Sequence, residues 1–248
     1  MMKYFIGNWK MFGVPRSIKI LNRINSFRST DSNRNKYRIV ITPPYTLLET
    51  FAKKFRDKKI IIGSQNCYQK EKFSSNTAAI SPYMIRAIGA KYTLVGHSDN
   101  RAEGDTNTIL KDKVKFALQN NLKVVFCIGE NKLEKKNNKT FSVLKNQLVK
   151  VLESKFNKNN IIVAYEPIWS IGTGKIPSYY ELLNTSKNIK KTLKKIFKKG
   201  SPEVLYGGSV DEKNVHVFRE IKEIDGFLIG GASKSSKKFI DIIKNYYR

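Results

Sequence analysis

The sequence predicts an α/β protein with a single domain, built as a (β/α)8 barrel of eight parallel strands. Short apolar runs alternate with longer amphipathic segments, eight of each, at about 30 residues per repeat. The chain has 248 residues and no linker rich in Pro, Gly or Ser, so residues 1–248 are expected to form one domain. A doubly wound open sheet is the alternative, but Gly7-Asn8-Trp9-Lys10 stands where its GxGxxG fingerprint would follow the first strand.

The strands are predicted from short runs of β-branched and aromatic residues. The clearest run extends from Ile161 to Tyr165, and its composition suits a strand buried on both faces. Pro167 must end this strand, because proline cannot donate a hydrogen bond to a neighbouring strand. The eight predicted strands are residues 3–7, 38–42, 60–63, 92–95, 123–127, 161–165, 204–206 and 226–229.

The helices are predicted from apolar residues that recur at helical spacing between the strands. Several have recognisable starts: Pro82 follows Ser81, and Asp211 and Glu212 supply acidic residues for a first turn. The predicted helices are residues 17–27, 44–55, 82–88, 106–120, 140–156, 178–197, 211–222 and 234–247. The polar stretches 29–36 and 132–139 are predicted to be surface loops.

The chain is strongly basic, with a formal net charge of +27. Such a charge suggests a nucleic-acid partner. The lysines, however, are dispersed over predicted helix faces and loops and are not gathered in one tail. We therefore expect a solvated basic surface that attracts anionic metabolites, and no nucleic-acid partner.

The two cysteines and the short apolar runs indicate where in the cell the protein is expected. Cys67 and Cys127 lie far apart, and we expect buried, reduced thiols in a cytoplasmic protein without a metal site. No window approaches the ~18 consecutive apolar residues of a membrane span. The first residues have too short an apolar run for a signal peptide. No membrane partner is expected.

Chemistry in a parallel barrel collects at the carboxyl ends of the strands. The first predicted strand is followed by Asn8 and Lys10, the fourth by His97, and the sixth by Glu166. Taken alone, such a lysine is more often a surface charge and such a histidine a core or capping residue. Their shared position at strand ends favours one site that combines a base with a proton-donating electrophile.

The turns after the last two strands are rich in glycine. Gly207-Gly208-Ser209 and Gly230-Gly231 can present backbone N–H groups to an anion, as barrel phosphate sites do. Together with the base, they suit abstraction of a proton next to a carbonyl in a small phosphorylated molecule. No ligand cluster indicates a metal, and no nucleophile–base pair indicates acyl transfer.

Glu166 is followed by a segment that resembles a movable lid. Pro167 and the glycines Gly172 and Gly174 bracket a short apolar run, so residues 167–175 could fold over the site and exclude water. The alternative is an ordinary strand–loop–helix junction.

These motifs resemble the triosephosphate isomerase family from end to end. They read GNWKM (7–11), GSQN (63–66), VGHSDNR (95–101), CIGE (127–130), AYEPIWSIGTGK (164–175), YGGSV (206–210) and DGFLIGGAS (225–233). The resemblance implies the TIM barrel fold and interconversion of dihydroxyacetone phosphate and D-glyceraldehyde 3-phosphate through an enediolate, in glycolysis and gluconeogenesis, without a cofactor.

The resemblance also implies a role for each site residue. Glu166 would be the base, His97 a neutral electrophile, and Lys10, beside Asn8, would stabilise the developing oxyanion; these three catalytic roles follow the family's mechanism. The phosphate would accept hydrogen bonds from backbone N–H groups, those of Gly172, Ser209, Gly230 and Gly231.

The chain departs from the family at three positions. Asp99 replaces the usual Glu, so it would hold Lys10 less firmly or through water, and Asn100 replaces an Arg. The usual Thr-Gly-Glu of the third loop reads Thr77-Ala78-Ala79, which removes the carboxylate that pairs with that Arg in a homodimer. A homodimer through the Thr77 loop is still expected. A phosphate- or nucleic-acid-binding barrel with weakened catalysis is the alternative function.

Overall fold

A closed barrel of eight parallel strands forms the centre of the molecule. The computed structural model describes residues 2–248. Neighbouring strands pair in chain order, and β8 pairs with β1 to close the barrel, which confirms the predicted fold and excludes the open sheet. The strands are β1 (Lys3–Asn8), β2 (Tyr37–Thr42), β3 (Ile60–Ser64), β4 (Tyr92–Val95), β5 (Lys123–Ile128), β6 (Ile161–Tyr165), β7 (Glu203–Tyr206) and β8 (Gly226–Ile229).

The connections between the strands carry helices that pack around the barrel. Ser81 begins one of them as predicted, since its hydroxyl accepts the N–H of Met84. Within residues 2–248 the α-helices are α1 (Ile18–Thr30), α2 (Tyr45–Lys54), α3 (Pro82–Ala87), α4 (Ser98–Ala102), α5 (Asn107–Gln119), α6 (Lys132–Lys136), α7 (Thr140–Val151), α8 (Tyr179–Phe197) and α9 (Ser236–Tyr247).

Two predictions about helices are wrong. The helix predicted at 211–222 is only the 3-10 turn Val215–Phe218. The Asp211 carboxylate accepts the N–H groups of Lys213 and Asn214, and these side-chain bonds compete with helix formation. Conversely, the loop predicted at 132–139 contains α6, because Asn131 and Glu134 form a reciprocal capping box.

The apolar core has two layers, separated by the strands. Residues inside the barrel, such as Ile6, Leu94 and Ile162, form one buried cluster. Alternate residues on the same strands, such as Phe5, Val95 and Val163, pack outward against the helices in a second cluster. Because both faces of each strand are covered, the strands read as continuous apolar runs. The polar residues at their carboxyl ends therefore stand on a rigid support.

Candidate functional site

The carboxyl ends of the strands surround one cavity of about 570 Å³. The structure brings together all eight residues that the sequence singled out, and each of them lines this cavity. They come from the ends of β1, β4, β6, β7 and β8 and from the lid (residues 167–175): Asn8, Lys10, His97, Glu166, Gly172, Ser209, Gly230 and Gly231.

Glu166 follows β6 and is held in a buried position, 5% exposed. Two glycines make room for it. A Cβ at Gly207 would lie 2.5 Å from the Glu166 Cγ, and a Cβ at Gly129 would overlap the Glu166 carbonyl. Burial raises the pKa of Glu166, against the charges of His97 and Lys10 and a hydrogen bond from Cys127, which act to lower it. A raised pKa makes the carboxylate a stronger base than an exposed one.

His97 ends β4 and caps the start of α4. Its Nδ1 accepts the backbone N–H of Asp99 at 3.1 Å, which places the imidazole proton on Nε2 when the ring is neutral. That Nε2 lies 3.7 Å from the Glu166 Oε1. Among residues 2–248, neither Nε2 of His97 nor Oε2 of Glu166 has a hydrogen-bond partner, although both atoms are buried. Two such atoms on the wall of one cavity suit a polar ligand between them.

Lys10 follows β1 in a left-handed backbone conformation, with φ of 53°. The Asn8 side chain accepts its N–H at 3.0 Å, and the Gln65 amide donates to its carbonyl at 2.9 Å. The same Gln65 nitrogen donates to the Thr42 carbonyl at 2.9 Å, so it ties the ends of β1 and β2 together. These bonds hold a conformation that is otherwise costly for a residue with a side chain.

Asp99 contacts Lys10 directly. Its Oδ2 lies 3.1 Å from the Lys10 Nζ, so no water is needed between the shorter side chain and the amine. Partial burial acts to raise the pKa of Asp99, but the charge of His97 and the hydrogen bond from Lys10 outweigh it and lower the pKa. The carboxylate therefore stays charged at neutral pH and fixes the amine at the cavity wall.

The glycine turns after β7 and β8 form another part of the cavity lining. A Cβ at Gly208 would overlap the Tyr206 hydroxyl, so this turn must be tight. At Gly230 and Gly231 a Cβ would meet no atom of residues 2–248 within 4 Å. Since both line the cavity, their small size leaves space that a ligand can fill.

The lid rests on the turn after β7. The N–H of Gly174 donates to the Ser209 hydroxyl at 3.1 Å, and that hydroxyl donates to the Ser170 carbonyl at 2.6 Å. On its outer side, the Trp169 indole donates to buried Glu130 at 2.8 Å. The tip of the lid at Gly172 is exposed and lines the cavity, so its N–H can reach a ligand there.

Two residues near the site were not predicted, and a third was predicted in another role. Gln65 fixes the Lys10 backbone, and Lys238 of α9 lines the cavity. Gly207 was expected only as part of an anion-binding turn, but it also gives space to Glu166. Gln65 lies within the GSQN motif, which could have indicated it. Lys238 carries no signal in a chain with so many lysines.

Residues 2–248 contain neither a metal cluster nor a membrane-spanning helix. No group of three or more His, Cys, Asp or Glu side chains there could hold a metal ion. No helix in the same part of the chain is long and apolar enough to cross a membrane. Both cysteines are free and buried, as expected.

Comparisons with known proteins agree with this geometry. The sequence model of the triosephosphate isomerase family matches residues 3–246. The chain is 37% identical over 249 residues to the triosephosphate isomerase of Debaryomyces hansenii, with 98% of each chain covered. It is also 37% identical over 248 residues to that of Saccharomyces cerevisiae, again with 98% of each chain covered. The crystal structure of triosephosphate isomerase from Bartonella henselae superposes with a TM-score of 0.90 at 30% identity, covering 99% of both chains. The chain belongs to the triosephosphate isomerase family.

Proposed function

We propose that the chain interconverts dihydroxyacetone phosphate and D-glyceraldehyde 3-phosphate. One observation supports this most strongly: the buried carboxylate of Glu166 and the imidazole of His97 line one cavity, 3.7 Å apart, and the amine-bearing Lys10 lines the same cavity. This set matches a reaction that moves a proton between two adjacent carbons while the charge on an oxygen rises and falls.

In the proposed mechanism Glu166 removes a proton from the carbon next to the carbonyl and returns it to the neighbouring carbon. The Nε2–H of His97 donates to the carbonyl oxygen as negative charge develops there and protonates it. The same Nε2 then takes the proton of the hydroxyl on the adjacent carbon, and that oxygen becomes the new carbonyl. Lys10 stabilises the same charge and the substrate phosphate, with Asn8 beside it. Asp99 positions the Lys10 amine through their 3.1 Å contact. These steps need only side chains of the protein, so we propose that no cofactor takes part.

The phosphate is proposed to bind at the wall formed by the last two turns. Backbone N–H groups of Ser209, Gly230 and Gly231 would donate to it, and the N–H of Gly172 would join them when the lid closes. Closure excludes water from the enediolate and hinders loss of its phosphate. The binding barrel with weakened catalysis is not favoured, because the chain keeps the base, the electrophile and the amine in one cavity.

A coupled assay with purified protein tests this function in both directions. We expect interconversion of the two triose phosphates without added metal or cofactor, and competitive inhibition by inorganic phosphate. An enzyme prepared without detectable contaminating isomerase that fails to interconvert them would contradict the proposal.

We also propose a homodimer through the Thr77 loop. Thr77 is exposed in one subunit, and so are two large apolar side chains: Phe73 in the same loop, 76% exposed, and Met11 in the loop after β1, 98% exposed. Large apolar side chains at such exposure suit contact with a second copy. The buried, free cysteines suit a reducing compartment, so we place the protein in the cytoplasm.

A further inference from the structure

The hydroxyl of Ser170 lies at the centre of the lid's contacts with the barrel. Ser170 is the last residue of the 3-10 turn Ile168–Ser170 and is completely buried. Its hydroxyl donates to the Lys175 carbonyl at 2.5 Å, at the far end of the lid. It also lies 3.1 Å from the Tyr206 hydroxyl and accepts the Ser209 N–H at 3.4 Å. One side chain within the lid thus joins the lid's far end, at Lys175, to the end of β7 and the turn after it.

The hydrogen-bonding capacity of this hydroxyl is fully used. A serine hydroxyl has one hydrogen and two lone pairs. Its hydrogen goes to Lys175, so Tyr206 must be the donor in the contact between the two hydroxyls, and Ser209 donates to the remaining lone pair. Replacement by an apolar side chain would leave the buried Tyr206 hydroxyl and the Lys175 carbonyl without this partner.

Ser209 connects this arrangement to the ligand. Its N–H is one of the donors proposed for the substrate phosphate, and in the structure it donates to the Ser170 hydroxyl at 3.4 Å, a long hydrogen bond. A phosphate oxygen is charged and accepts a stronger hydrogen bond than a neutral hydroxyl does. Phosphate can therefore replace the Ser170 hydroxyl as the acceptor of this N–H. The Ser170 hydroxyl then loses one of its hydrogen bonds.

We propose that Ser170 is a positioning residue that couples phosphate binding to closure of the lid. Its hydroxyl is hydrogen-bonded to both the Ser209 N–H and the Lys175 carbonyl. When phosphate accepts the Ser209 N–H, the hydrogen bond from this N–H to Ser170 is lost. The hydrogen bonds of Ser170 with Lys175 and Tyr206 remain, and they keep the far end of the lid in place. The proposal concerns the same site as the proposed function and rests on it for the role of Ser209.

Hydrogen exchange of the lid amides tests the coupling without requiring activity. The variant is Ser170→Ala, and the matched control is Ser186→Ala, a buried serine on α8. In the unmodified chain and in the control, inorganic phosphate should slow exchange in residues 167–175. In Ser170→Ala we expect exchange without phosphate to be about tenfold faster, and the effect of phosphate to shrink. Equal rates and an equal response to phosphate in all three proteins would overturn the proposal.

Steady-state kinetics give a second, independent measurement. We expect kcat of Ser170→Ala to fall about tenfold with KM within about threefold, because the lid is closed in a smaller fraction of the substrate complexes. More inorganic phosphate should be released per turnover, since the enediolate is less protected. A loss of kcat that only follows the folded fraction, with unchanged phosphate release, would show a merely structural role and overturn the proposal.

A second variant keeps the test decisive if Ser170→Ala folds poorly. Tyr206→Phe removes one donor to the same hydroxyl and leaves Ser170 in place. The rate of hydrogen exchange in the lid amides should rise in Tyr206→Phe. The effects of the two substitutions on this rate should not be additive when they are combined. Additive effects would contradict a shared hydroxyl. An unmodified chain without isomerase activity would refute the proposed function alone, because the exchange measurements still decide whether phosphate acts through Ser170.

Discussion

In the proposed mechanism, Glu166 needs its full length to reach the substrate. Its carboxylate extends from the end of β6 into space that Gly207 leaves free. In Glu166→Asp the carboxylate is withdrawn by one methylene, and a displacement of about 1 Å can slow a proton transfer by about 100-fold. We expect kcat to fall by about that factor while KM changes little, as measured in the coupled assay. Glu49→Asp, on the exposed face of α2, is the control. Comparable turnover in Glu166→Asp would remove Glu166 from the role of base.

The buried position of Glu166 also predicts how activity depends on pH. Its pKa is raised above the ordinary 4.5, first because burial disfavours the charged carboxylate. Only the charged form can accept a proton, so kcat/KM should fall as the pH decreases through this raised pKa. We expect the acidic limb of the kcat/KM profile to have its midpoint above pH 4.5. Asp99 has a lowered pKa and should not produce this limb. A midpoint at or below pH 4.5, with the protein still folded, would contradict the assignment.

At the residue scale, the eight residues singled out from the sequence all line one cavity, but the sequence did not predict the contacts that position them. Strand ends and glycine turns are visible as local patterns, so Lys10, His97 and Glu166 could be found. The contact of Gly207 with Glu166 joins β7 to β6, and the Gln65 bond to the Lys10 carbonyl joins the β3 end to the β1 end. Contacts between distant segments leave no periodic signal in either segment.

At the scale of elements, the strands were predicted better than the helices. Buried parallel strands are apolar on both faces, so their runs have sharp ends, and β4, β6 and β8 have the predicted bounds. Short helices depend on single capping side chains. The side-chain bonds of Asp211 prevent a helix after β7, whereas the capping box at Asn131 and Glu134 forms one after β5. Composition alone does not separate these two cases.

The buried ion pair on α5 supports the loop after β3. Lys113 is 4% exposed, and its amine contacts Asp105 at 2.8 Å and the Asn66 side chain at 3.0 Å. Lys113→Ala leaves both partners without their cation, which typically costs about 3–5 kcal/mol. We expect a decrease of that order in the free energy of unfolding, measured by urea denaturation.

An exposed ion pair on the same helix is the matched control. Lys111 contacts Glu153 at 2.8 Å, with the Lys111 side chain 44% exposed. Lys111→Ala should cost less than about 1 kcal/mol, because water and salt screen such pairs. Similar losses in both variants would show that the burial of Lys113 adds nothing to stability.

At the scale of the whole molecule, the Thr77 loop is the part proposed to contact a second subunit, and it lacks the glutamate that the resemblance implies. Ala78 has a φ of 63°, the left-handed conformation that the family's usual glycine adopts easily. Ala79 and Asn100 stand where the resemblance implies an ion pair between subunits. Both ends of that pair are absent together, so neither charge is left buried alone at the proposed interface.

Restoring the ion pair should strengthen the proposed dimer only when both charges are present. Ala79→Glu alone and Asn100→Arg alone each place an unpaired charge at the interface and should weaken association. The double variant should bind at least about tenfold more tightly than the sum of the single effects predicts, since close charge pairs across interfaces are coupled by about 1.5 kcal/mol or more. Sedimentation at several protein concentrations measures the dissociation constant of each variant. Lys237→Ala controls for the change in net charge, because the Lys237 side chain is exposed and contacts Asp241 on the same helix, α9.

If the unmodified chain sediments as a monomer at all concentrations, the homodimer itself is refuted. If the two substitutions are additive, the Thr77 loop does not approach Asn100 of a second subunit.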